Sequence, residues 1–219
     1  MSTRLPAWML RDLSQPRLRR YIRAAHGDAR TATRLYWWNI EVSAALLGSL
    51  HCLELALRNA LHGALVQHHG RPDWWTVAPL NDRGRKLVDD ARRCCGRRRR
   101  RTTPDDMVAE LTFGFWVSLL SAGYDRDFWV PVLHSAFPYY RGRRDGLYRD
   151  LTSLVLLRNR VMHHEPVHHR HLAADHDTIY RVLGYLSLEL TKEARAMDRF
   201  PTVIADRADV LSGVRPPQF

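Results

Sequence analysis

The chain has 219 residues, 45% of them hydrophobic, and a formal net charge of +11. That length and apolar content support one domain with a real core plus short appendages, and seven Trp are more than a disordered chain carries. The basic balance favours polyanionic partners, nucleic acid first and an anionic membrane surface second. The three cysteines, Cys52, Cys94 and Cys95, match neither a disulfide framework nor a zinc-ribbon spacing, and fit a reducing cytoplasm.

The N-terminal stretch MSTRLPAWMLRDLSQPRLRR lacks the apolar core of a secretory signal. No apolar run is read as reaching the ~20 residues of a membrane span, so no membrane partner is expected and the compartment is expected to be cytoplasmic. A first helix is expected from Gln15 to about His26, with Pro16 near its start. A long one follows from about Ala32 to Gln67, where Val42, Leu46, Leu50, Leu53, Leu57 and Leu61 recur at helical spacing and mark a buried face. Gly70-Arg71-Pro72-Asp73 ends it.

Asn81 can cap a helix running through Arg93. The run Arg97, Arg98, Arg99, Arg100 and Arg101 then repels itself, as a solvated loop or a phosphate-contacting patch. Thr103-Pro104-Asp105-Asp106 combines a capping hydroxyl, a first-turn Pro and acids at the positive helix end, and predicts a helix to about Ser121. Gly114 within it would allow close packing, with Phe115 and Trp116 as core. A short helix is expected from Asp127 to about Ala136, then a basic loop with Arg141, Arg143 and Arg144. Helices from Leu147 to about His164 and from His176 to about Met197 follow, with an irregular tail from Phe200. The expected organisation is an N-terminal helical appendage (1–29), a main helical domain (30–205) and an irregular tail (206–219). The class is all-α, a helical bundle.

Two signatures overlap in LRNRVMHHEPVHH (157–169). His164-Glu165-x-x-His168 matches the HExxH pattern of zinc peptidases, which needs both His on one face of an unbroken helix. Pro166 removes a backbone donor and its ring clashes one turn back, so the helix should end near His164 and the zinc geometry fails. The other signature is Arg158-x4-His163. Asn159 and His163 lie one turn apart on a shared face, with Arg158 beside them. A guanidinium that grips phosphate and an imidazole that moves a proton are the parts of a metal-independent phosphodiester cleavage. The helix C-terminus favours a cation at His163. Alone, Arg-x4-His is a weak pattern.

Four ordered blocks strengthen it. LELALRNALHGAL with the following Trp74-Trp75, ELTFGFWVSLL, DFWVPVLHSAFP and RNRVMHHEP together resemble the Abi-like (AbiD/AbiF) family of bacterial abortive-infection factors, over roughly residues 30 to 205. The resemblance implies a HEPN-type helical domain with peripheral helices, in which Arg158, Asn159 and His163 fall on the ribonuclease motif of that class. It further implies a homodimer that pairs two motifs, and a polar residue from an earlier helix, Glu54, Arg58 or Asn59, that orients Arg158 or His163. His164, pointing about 100° away on a helix, is the alternative proton carrier.

The expected activity is a metal-independent endoribonuclease, a toxin in phage defence, that uses the RNA 2′-hydroxyl and no cofactor. An alternative is a non-catalytic RNA-binding module partnering a small structured RNA through Arg97 to Arg101, Arg141, Arg143 and Arg144. An antitoxin or small non-coding RNA is a further possible partner. A zinc peptidase through His164, Glu165 and His168 is the third reading.

Overall fold

Helices carry the chain in the computed structural model, which describes residues 5–98 and 102–218. In order they are α1 (Ala7–Asp12), α2 (Gln15–Ala24), α3 (Ala29–His69), α4 (Asp82–Arg98), α5 (Pro104–Glu110), α6 (Phe113–Ser118), α7 (Arg144–Met162), α8 (Leu172–Leu186), α9 (Leu188–Ala196), α10 (Phe200–Ala205) and α11 (Arg207–Ser212). No strand occurs among the described residues, so the fold is all-α.

Several boundaries differ from the sequence-based expectation, each for a local reason. α3 begins earlier because the Asp28 carboxylate accepts the Thr31 N–H at 2.9 Å. The helix expected from Thr103 to Ser121 is two. Thr103 and Asp106 form the capping box that starts α5, but Leu111 turns extended and Thr112 caps a new helix by accepting the Phe115 N–H. Gly114 is not required for close packing there, since an added Cβ would sit 3.8 Å from Val155 Cγ1, an ordinary contact. Residues 122–136 form short 3₁₀ turns and one π-helical turn rather than a single helix. The helix expected over His176 to Met197 also divides, because the Ser187 hydroxyl accepts the Leu190 N–H at 3.1 Å and restarts the helix as α9.

Two compact units make up the chain: residues 1–50, 157–177 and 194–219 in the first, and 51–156 and 178–193 in the second. In the first unit the N-terminal helices are not an appendage: Met9, Leu18 and Tyr21 are buried in its core with Trp38, Val42, Leu46 and Leu157. Nor is the tail irregular. The Trp38 indole donates to the Val203 carbonyl at 3.2 Å, and the Arg207 guanidinium lies 5.0 Å above the Trp38 ring. Arg34 donates to the carbonyls of Leu211 and Ser212, covering the end of α11. Gly213 follows with φ +86°, and the Arg34 guanidinium fills the space its side chain would occupy. His176 pairs with Asp198 and stacks on Phe200 at 4.3 Å.

The second unit is built on aromatic packing. Trp74, Phe115, Trp116 and Phe128 are buried together, with Trp74 and Phe115 stacked at 6.4 Å. The Trp74 indole N–H is satisfied by His62 Nδ1 at 3.1 Å. The expectation that Phe115 and Trp116 are core is met.

α3 is long and apolar enough, by length and composition alone, to cross a membrane, contrary to the expectation of no such run. It also has the marks of a packed core helix. Val42 and Leu46 are fully buried in the first unit, Leu53, Leu57 and Leu61 in the second. Of its buried polar groups, Asn39 and Glu41 take hydrogen bonds from other protein segments, and the Ser49 hydroxyl donates to the Leu46 carbonyl within the helix.

Candidate functional site at the end of helix α7

α7 ends through a specific hydrogen-bond pattern. The His163 N–H still reaches the Asn159 carbonyl at 2.9 Å, the His164 N–H turns back to Val161 at 3.1 Å, and the Glu165 N–H reaches Arg160 at 2.8 Å. His164 itself adopts φ +57°. This is the Schellman pattern, with a histidine where glycine usually sits. A left-handed non-glycine residue costs about 1–2 kcal/mol, and the neighbouring contacts hold it there. Arg17 Nη1, from α2, donates to the His164 carbonyl at 2.6 Å. Beyond Pro166, the Asn39 side-chain oxygen accepts the N–H groups of both Val167 (2.7 Å) and His168 (3.1 Å). Arg160 pairs with Glu165 at 3.3 Å.

The result is a fixed turn that leaves Asn159, His163 and His164 exposed and Arg158 half-buried. The His163 ring forms no hydrogen bond among the described residues, so both its nitrogens are open to a docked molecule. Asn159 and His163 differ by about 40° around the helix and Arg158 and His163 by about 140°. Arg158 and His163 therefore do not share a helical face.

The zinc signature fares as the proline argument requires. α7 stops at Met162, so His164 and His168 do not share a helical face. Among the described residues no group of three or more His, Cys, Asp or Glu side chains is gathered as a metal would need.

The remaining sequence candidates are placed as follows. Glu54, Arg58 and Asn59 lie on the part of α3 within the second unit, with Asn59 exposed and Glu54 and Arg58 half-buried. The Arg58 Nε is buried without a hydrogen-bond partner. Arg97 is exposed near the end of α4, Arg98 is its last residue, and Arg99, Arg100 and Arg101 lie outside the described residues. Arg144, whose side chain is only 15% exposed, bonds Asp125 at 2.7 Å and the Leu120 carbonyl at 2.8 Å, and so braces the second unit. Arg141 donates to the carbonyls of Pro138 and Tyr140, and Arg143 pairs with Asp145.

No protein-family model matches the chain, and neither a curated protein nor a solved structure matches it.

The sequence reading missed a second group of cations beside this turn. Arg17, Arg20 and Arg23 project from α2 around the same loop as Arg160, His164, His168 and His169. Spacing on α2 shows a basic helix, but not what it faces. Asn39 also escaped notice, although an Asn and a Glu two residues apart in the apolar segment WWNIEVS signal buried polar partners.

His168 is the most perturbed imidazole in this loop. Burial, then the charges of His169 and Arg207, push its pKa down to about 4. Its Nε2 is buried and without a hydrogen-bond partner. Because the folded pKa lies below the unfolded value of 6.5, the associated stability is intact above pH 6.5. It is lost as pH falls from 6.5 towards 4. Allowing for partial solvent screening, the loss should be about 1–2 kcal/mol. Urea unfolding at pH 7 and pH 4.5 measures it. The His168→Phe variant, which keeps a ring against Tyr21, should lose that much less stability between the two pH values than the parent chain; equal losses in both proteins would contradict the assignment.

Proposed function

We propose that this chain is a metal-independent endoribonuclease of the HEPN type, akin to the Abi-like abortive-infection factors. It cleaves RNA in the cytoplasm and works as a homodimer. The observation that carries the reading is the end of α7, where an exposed His163 with open ring nitrogens stands one turn from Asn159, and Arg158 precedes Asn159 on the same helix.

In this reading His163 of one subunit removes the proton from an RNA 2′-hydroxyl. The 2′-oxygen attacks the adjacent phosphorus, and the bond to the 5′-oxygen breaks as His163 of the second subunit supplies its proton. The products are a 2′,3′-cyclic phosphate and a 5′-hydroxyl, so atoms and protons balance without a cofactor. Arg158 neutralises the charge that builds on the phosphorane, and Asn159 orients the phosphate. An antitoxin or a small RNA would restrain such an activity in the cell.

The test is purified chain incubated with mixed cellular RNA in the presence of a chelator, alongside His163→Ala. Fragmentation by the parent and not by the variant supports the reading; intact RNA with both ends it. A second reading, a non-catalytic RNA-binding module, is favoured by the α2 arginine row. It predicts RNA binding without cleavage by either protein.

A further inference from the structure

We infer that the first unit carries a cleft that holds one nucleotide of a single-stranded RNA, its base in an apolar cavity and its phosphates on a row of arginines. The inference goes beyond the catalytic reading, because it concerns where a strand is held and does not require cleavage.

Three hollows follow one another along α2. The largest, about 670 Å³, is walled by Tyr36, Ile40, Ala44, Leu47 and Met162 and is bordered by Arg17 and His164. That is the size of an ordinary small-ligand pocket, with room for a nucleobase. Arg17 and His164 also border a second hollow of about 170 Å³, which continues to Arg20 and Pro166. Arg20 and Pro166 in turn border a third, of about 420 Å³, closed by Arg23, Arg160 and His169. The shared walls make one path from an apolar chamber onto a basic strip.

The polarity of each part fits a nucleotide. In the chamber Asn39 uses its side-chain oxygen on the Val167 and His168 N–H groups. Its amide donors have no hydrogen-bond partner among the described residues, and suit the carbonyl or ring nitrogen of a base. Asp12, also on the wall, has both carboxylate oxygens on the Arg11 guanidinium, at 2.7 and 3.0 Å, so only their remaining lone pairs could accept from a base amino group. Along the strip Arg20 and Arg23 are exposed and form no ion pair or hydrogen bond among the described residues, while Arg17 uses one nitrogen on the His164 carbonyl and keeps the rest of its fork free. Glu165 is the acid bordering the strip, and it is paired with Arg160. Arg17, Arg20 and Arg23 recur every third residue, so each stands about 4.5 Å further along the helix and steps from one hollow to the next. A bare anion site would not need the apolar chamber, and an apolar ligand would not need the strip. The two joined favour a stacked, phosphate-bearing unit.

The experiment measures binding of a short, fluorescently labelled single-stranded RNA to the full chain carrying His163→Ala, which keeps the strand intact whether or not the parent cuts it. Arg17→Gln with Arg20→Gln should weaken binding about tenfold and reduce the slope of log K against log salt by about 1.4, from about 0.7 per lost phosphate contact. Ala44→Trp, which fills the chamber from an exposed position, should weaken binding about tenfold with the salt slope unchanged. Leu47→Trp serves the same purpose if Ala44→Trp does not fold. Adenosine monophosphate should compete far more weakly than the strand, and inorganic phosphate more weakly still.

No strand binding overturns the inference. So does loss of binding in the arginine variant alone, with both chamber-filling variants unaffected, because the strip would then be a general anion surface. Binding of adenosine monophosphate without the strand overturns it as well. Because cleavage is not read, these outcomes are separate from failure of the ribonuclease reading.

Discussion

Replacing Arg215 with alanine is expected to destabilise the protein by about 3–5 kcal/mol, the usual cost of stranding a buried charge. Arg215 lies near the C-terminus, where sequence reasoning expects nothing structural. Its Nη2 meets Glu41 Oε1 at 3.0 Å, and its Nε meets Asp206 at 3.3 Å. Glu41 is 1% exposed, on the most apolar part of α3, and its second carboxylate oxygen already lacks a partner. Without Arg215 the whole carboxylate is left in the core with no counter-charge. Urea unfolding at neutral pH reads the effect as a drop in midpoint at constant slope. The double variant Glu41→Leu, Arg215→Met removes both charges and should recover much of the loss. A change under about 1 kcal/mol in Arg215→Ala would mean that Arg215 does not neutralise the buried Glu41 carboxylate.

The second large effect concerns chemistry. His163→Ala should lower RNA cleavage by about 10²–10⁴-fold, the range of a lost general acid or base. Arg158→Ala should cost about 10²–10³-fold, as for the loss of one donor to developing negative charge. Arg158→Lys should restore little, because an ammonium cannot reproduce the planar two-point grip of a guanidinium. His164 lies in the left-handed turn, so its ring leaves the helix in another direction from that of His163. His164→Gly keeps the turn and should retain more activity than His163→Ala. Single-turnover cleavage of a labelled RNA by each variant, with folding checked by circular dichroism, gives the comparison. Equal activities for His163→Ala and the parent would remove His163 from the reaction.

What the sequence made legible follows from how local each cause is. The start of α2 at Pro16, the cap at Asn81, the Thr103 capping box and the end of α7 before Pro166 are each decided by a few adjacent residues, and each is where the sequence places it. The breaks at Leu111 and Ser187 were hidden because apolar periodicity continues across them. Only a hydroxyl in mid-segment, Thr112 or Ser187, hinted at a new cap. The tail helices were hidden for a different reason: α10 and α11 are held by Trp38, Arg34 and Glu41, more than 160 residues earlier in the chain.

The same division applies to the site. Arg158, Asn159 and His163 are read from one short motif, and Arg158 and Asn159 lie on α7 with His163 in the turn that ends it. The partners of the turn come from elsewhere: Arg17 is 147 residues from the carbonyl it binds, and Asn39 is 128 from Val167. No spacing rule connects such positions. Sequence density does not separate the arginines by their surroundings: Arg144 is half-buried and holds Asp125, whereas Arg20 and Arg23, on a less conspicuous helix, are exposed, as is Arg97.

The most direct measurement of the central claim is the end-group chemistry of RNA cut by the purified chain in excess chelator. The mechanism built on His163 predicts fragments ending in 2′,3′-cyclic phosphate and beginning with 5′-hydroxyl, formed by the parent and absent with His163→Ala. Fragments ending in 3′-hydroxyl and beginning with 5′-phosphate, or cleavage that stops when metal is removed, would contradict it.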